Sequence, residues 1–180
     1  MSSELRVDKI IPTNGAPTGG GGGIIQVVNT IKSDSFTTTS TSSVDITGFS
    51  ATITPKFSTS KILVCVDIGV LSASGANGVY LVLLRGSTAI ANTTIGSGNL
   101  HNRSGFTSGG GGEGNSGSDG ERKMTTGGIS FLDTPNTTSA TTYKVQLSSS
   151  NSSYTAYFNR WGENTDNASV STITLMEVSA

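Results

Sequence analysis

An all-β fold, an antiparallel β-sandwich or jelly-roll-like domain, is what three observations predict. No stretch carries apolar residues at helical spacing, whereas several short segments alternate apolar and polar residues. Those segments recur at regular intervals, with clusters of Gly, Ser, Asn and Pro between them. The composition agrees: 24 of the 180 residues are Gly, only 13% are charged, and Thr, Ser and Asn fill the difference. Thr suits a pleated strand, while Gly, Asn and Ser suit turns.

Residues 1–23 read as an N-terminal arm followed by a glycine linker. Leu5, Val7, Ile10 and Ile11 are the arm's only sizeable apolar groups, and Pro12 and Pro17 exclude a continuous helix. The run Gly19 to Gly23 imposes no preferred direction and spans at most about 17 Å. "GAPTGGGG" lacks the Lys-Ser/Thr ending, the preceding strand and the following helix of a phosphate-binding loop.

Residues 24–180 read as the β domain. "IIQVVNTI" is apolar on both alternating sets, which predicts a buried or interface strand. "SVDITGFSATITP" (43–55) reads as two strand pieces with a bend or bulge at Gly48. "KILVCVDIGV" (61–70) is the clearest strand. Ile62, Val64, Val66, Ile68 and Val70 fall on one face, with Lys61, Leu63, Cys65 and Asp67 on the other. The turn-rich "SGANG" and the run "VYLVLLR" (79–85) then suggest a hairpin. A short strand in "GSTAIANTTI" precedes a long Gly-rich loop over 96–128. Order resumes in "ISFLDT", "TTYKVQLSS", "YTAYFNRWG" and "SVSTITLMEV".

No catalytic, cofactor or metal constellation emerges. The single His101 has no thiolate or second imidazole at ligand spacing, and nothing resembles a nucleophile elbow. Glu113, Asp119 and Glu121 do not match an EF-hand. The lone Cys65 lies within an apolar strand and excludes an intramolecular disulfide. A net charge of -1 offers no basic stripe for nucleic acid. No apolar run reaches the ~18 residues of a membrane span. "MSSELRVDK" has no apolar signal core, so synthesis in a cytoplasm is expected. Tyr157 and Trp161 share a strand face in "YTAYFNRWG" and are candidates for a subunit or glycan contact.

The opening "SELRVDKIIPTNG", the glycine spacer, "IIQVVNTIKSDSFTTTSTSSVDITGFSATITP" and "SKILVCVDIGV" resemble small tail-fibre-like and other virion structural proteins of marine and cyanobacterial bacteriophages. "LLRGSTAI", "ISFLDTPNTTSATTYKVQL" and "STITLMEVSA" extend the resemblance over nearly the whole chain, apart from 96–128. It implies a virion location, an N-terminal segment that docks on a larger protein of tail, neck or capsid, and a β-sandwich that assembles as a homotrimer. Leu5, Val7, Ile10 and Ile11 are then the docking residues. The long loop departs from the pattern. Its His101, Arg103, Phe106, Arg122 and Lys123 are candidate contacts to a host-surface glycan or protein. The expected role is a non-enzymatic fibre or knob used in host adsorption. Two alternatives are a capsid decoration or cement protein, which uses the same arm and fold, and a module that binds or cleaves host-surface glycans.

Overall fold

A computed structural model describes residues 23–74, 78–91, 125–162 and 168–179. These residues form ten strands and no helix: β1 (Ile24–Lys32), β2 (Phe36–Thr38), β3 (Val44–Ile53), β4 (Lys61–Ala73), β5 (Val79–Arg85), β6 (Thr88–Ile90), β7 (Thr125–Asp133), β8 (Thr141–Ser149), β9 (Ala156–Phe158) and β10 (Ser171–Val178). All pairings are antiparallel. One sheet runs β1-β10-β4-β9-β2, with β7 also on β4, and the other runs β3-β8-β5-β6.

The long strand β4 organises the first sheet. One edge pairs with β10 from Lys61 to Asp67. Beyond Asp67 that same edge takes β9 along Leu71–Ala73, while the other edge pairs with β7 along Ile62–Ile68 and again at Leu71. The β7 pairing carries a register shift between Ile68 and Leu71. The shift also changes which side chains face inward. Ile62, Val64, Val66 and Ile68 are buried as their alternation predicts, but Leu71 rather than Val70 takes the next inward position. An inserted residue reverses the parity of everything after it.

The two sheets pack face to face around one apolar core, a β-sandwich. Ile62, Val64, Val66, Phe158, Ile173 and Leu175 of the first sheet meet Phe49, Ile53, Leu81, Leu83, Tyr143, Val145 and Leu147 of the second. The rings of Phe49 and Phe158 lie 5.1 Å apart, tilted by 52°, across the sandwich. Such a pair adds about 0.5–1.5 kcal/mol to the burial of its rings.

Several sequence expectations are corrected here. β4 and β5 belong to different sheets, so they do not form a hairpin and the chain crosses the sandwich between them. "IIQVVNTI" is the edge strand of its sheet rather than a buried one, and Ile24, Val27 and Ile31 face outward. The pieces around Gly48 join as one strand, β3, whose register shifts between Asp45 and Ser50. Gly48 sits in that bulge with φ of 76°, a left-handed conformation that glycine adopts without strain. Strand β7 starts at Thr125, inside the stretch expected to be loop.

Candidate interaction surface

Among the buried polar residues of the described chain, Asp133, Glu177 and Asn159 each anchor a network of structural hydrogen bonds. Asp133, at the end of β7, accepts from Arg85 Nη1 at 2.8 and 2.9 Å and from the Tyr143 hydroxyl at 2.7 Å. Since Arg85 and Tyr143 lie on β5 and β8, this network clasps one sheet to the other. Burial, reinforced by the Asp133 carboxylate, pushes the Tyr143 hydroxyl far above its ordinary pKa.

Glu177 is fully buried on β10, with no cationic partner among the described residues. It accepts from the Gln26 side-chain amide and from the backbone N–H groups of Lys56 at 2.7 Å and Phe57 at 3.4 Å. Burial alone would raise its pKa. The hydrogen bonds outweigh that and hold it below the usual carboxylate value. The carboxylate thereby fixes the 54–60 connection between β3 and β4 against the first sheet.

Asn159 adopts φ of 61° and is buried. Its amide donates to the Lys32 carbonyl at 2.8 Å and the Asp34 carbonyl at 3.2 Å, while its oxygen accepts from the Ser171 hydroxyl at 2.6 Å. Ser171 Oγ in turn accepts from Gly69 N–H at 3.0 Å. Each of these groups is already engaged by several structural hydrogen bonds. Their role is to hold loops on the sandwich.

The two aromatic candidates do not share a strand face as expected: Tyr157 lies on β9, which ends at Phe158, and Trp161 lies beyond it, after Asn159 with its positive φ. The Arg160 guanidinium lies 5.0 Å from the centre of the Tyr157 ring, a cation–π contact. Gly162 presses on the ring edge so closely that a Cβ there would lie 2.6 Å from Tyr157 Cε2. Trp161 is half-buried, and its Nε1 is buried with no hydrogen-bond partner among the described residues. This cluster covers the far end of the first sheet's outer face. Leu5, Val7, Ile10 and Ile11 of the arm, and His101, Arg103, Phe106, Arg122 and Lys123 of the long loop, lie outside the described residues.

The other end of that outer face is bare, and register gives it an order that the sequence does not display. Val27 pairs with Met176, Met176 with Leu63, and Leu63 with Leu132, so four apolar side chains form one row across β1, β10, β4 and β7. Val27 is 55% exposed and Leu132 47%. On one side of this row lie Ile24, Val178 and Lys61, with Ile24 60% exposed. On the other lie Asn29, Thr174, Cys65 and Ser130, and then Ile31, Thr172, Asp67 and Gly128. Beyond Asp67 the chain covers itself: a Cβ on Gly69 would lie 2.6 Å from the Val170 carbonyl.

The second sheet contrasts with this where β3 meets β8. Its outer face there carries Lys144 bonded to Asp45 at 2.7 Å, Gln146 to Asp45 at 2.8 Å, and Thr52 to Thr142 at 2.7 Å. Those strands are laced by polar pairs suited to water, whereas the first sheet presents a row suited to burial.

The described chain begins at the same bare end. Gly23 N–H donates to Ser179 Oγ at 3.0 Å, and Ser179 N–H donates to the Gly23 carbonyl at 3.0 Å. No protein-family model matches the chain, and no curated protein matches it.

Proposed function

We propose that this chain is a non-enzymatic structural protein of a bacteriophage virion, a short homotrimeric fibre or knob. Residues 1–23 tether the sandwich to a larger virion protein, with Leu5, Val7, Ile10 and Ile11 as the docking side chains. The body then presents the Gly-rich segment ahead of β7, residues 96–124, to the host surface. The observation that carries this reading is the Gly23–Ser179 clamp. Two reciprocal hydrogen bonds fix the point at which the glycine linker leaves the sandwich, so that the tether starts from a rigid corner. A flexible spacer hung from a fixed point joins two bodies whose orientations need not match.

The reading is tested by removing residues 1–18. The shortened protein should fold and associate as before but fail to join the particle; normal incorporation would refute the anchoring role. Excision of Gly109–Gly120 separates adsorption from decoration. Loss of host binding with intact particles supports the adsorption role, whereas a change confined to particle stability assigns the chain to capsid decoration.

A further inference from the structure

We infer that the bare half of the outer face formed by β1, β10, β4 and β7 is where copies of this chain meet, the Val27–Met176–Leu63–Leu132 row of one copy lying against the same row of the next. The inference rests on the reading of the chain as a homo-oligomer and adds to it the surface, its orientation and its residues.

The occupant follows from the chemistry of the face. Lys61 and Asp67 are its only charged residues, one positive and one negative, so the face has no net charge with which to repel a copy of itself. Four strands at about 4.8 Å spacing and seven residues at about 3.4 Å make a face on the order of 450 Å². That is more than half of the roughly 800 Å² that each partner contributes to a stable interface. The segments that cover the rest of this sheet, at Val170 and at Arg160–Gly162, stop short of the row, which leaves its outward side chains exposed or half-buried.

Symmetry then sets the orientation. In a cyclic assembly each residue meets its equivalents at its own height along the axis. The four apolar residues share one height only if the strands run along that axis. So arranged, Val27, Met176, Leu63 and Leu132 of every copy form one apolar layer. Asn29, Thr174 and Ser130 form the adjoining polar layer, where hydroxyls and amides can bond across copies. An arrangement that faced Lys61 with Asp67 would turn this apolar row onto the Asn29–Ser130 row. An exposed ion pair adds too little to compensate for that. Cys65 lies in the polar layer beside Leu63, which places the thiols of neighbouring copies at the same height.

The experiment uses the full chain. Its mass is measured by sedimentation over a range of concentrations, and Cys65 is treated with a short bismaleimide. Val27→Lys and Leu132→Lys change exposed side chains and should leave the fold of each copy intact, read as an unchanged far-UV circular dichroism spectrum. Each should weaken association roughly tenfold or more. Thr47→Lys, on the opposite sheet, should not. Cross-linked chains should form in the wild type and vanish in Cys65→Ser. If the wild type is oligomeric but both face variants associate normally, the surface is wrong and the homo-oligomer reading stands. If the wild type is monomeric throughout, both fall. An oligomer whose Cys65 thiols do not cross-link overturns the orientation. Cys65 that reacts faster after removal of residues 1–18, in a chain that stays monomeric, shows that the arm covers the face instead.

Discussion

Glu177 is the most exacting test of how this sandwich is held together. In Glu177→Gln the volume is kept but one oxygen becomes a donor. The amide oxygen can still accept from Lys56 and Phe57, but the new NH2 then faces the Gln26 amide, which already donates to the Thr54 carbonyl at 2.7 Å. Turning Gln26 over relieves that clash and loses the Thr54 bond. The net loss is about one hydrogen bond, or about 1–2 kcal/mol. Glu177→Ala removes both short bonds, from Gln26 and Lys56, and leaves a cavity. The relief of no longer burying a charge offsets part of this, for a net cost of about 3 kcal/mol.

Urea unfolding at fixed protein concentration measures both changes as shifts in midpoint at constant m. The pH dependence adds a second check. A carboxyl whose folded pKa lies below its unfolded value contributes stability above the unfolded pKa, and that contribution is lost as pH falls through the folded one. The wild type should therefore lose stability on acidification below about pH 4, and Glu177→Gln should lose less. A Glu177→Gln protein as stable as the wild type, with the same acid limb, would refute the assignment.

Three further outcomes are expected. Asn159→Ala removes the bonds to Lys32, Asp34 and Ser171 and leaves a non-glycine residue at positive φ, so unfolding should become easier by about 3 kcal/mol; Asn159→Gly should recover only the strain, about 1 kcal/mol. Tyr143→Phe leaves Asp133 with Arg85 alone and should cost about 1–2 kcal/mol in chemical denaturation. Asp45→Asn, at a half-exposed pair with Lys144, should change stability by less than about 1 kcal/mol, and salt should shrink the difference.

Where a strand has one clean apolar face, sequence and structure agree. Ile62, Val64, Val66 and Ile68 lie inward because burial on one side only fixes register. The segment 141–149 is a strand as expected, and the break at Gly48 is a bulge. β1 is apolar on both alternating sets, so parity alone could not say which set meets the core. The irregularity at its start, between Ile24 and Gln26, sends Val27 outward and leaves Val28 packed against the core. The β4–β5 relation is not legible in the sequence, because a turn-rich connection looks the same whether the chain returns to its own sheet or crosses to the other. β2, three residues in a Ser/Thr-rich stretch, carries no period long enough to see. Glu177 did leave a sign: it shares parity with the inward Ile173 and Leu175. The apolar row left none, because its four members come from four separate segments aligned only by register.

The clamp between Gly23 and Ser179 also sets how the domain bears load. Antiparallel ladder bonds lie perpendicular to the strands, so a pull directed along β1 strains its bonds side by side instead of one after another. Eight registered pairs join β1 to β10, and seven more join β10 to β4. Tension applied at Gly23 along β1 is thereby spread in shear over two ladders before it reaches the strand that organises the whole sheet. A pull at right angles to β1 would instead open the clamp first and peel the edge strand pair by pair, so the direction of the load, more than the strength of any one bond, decides when this domain gives way.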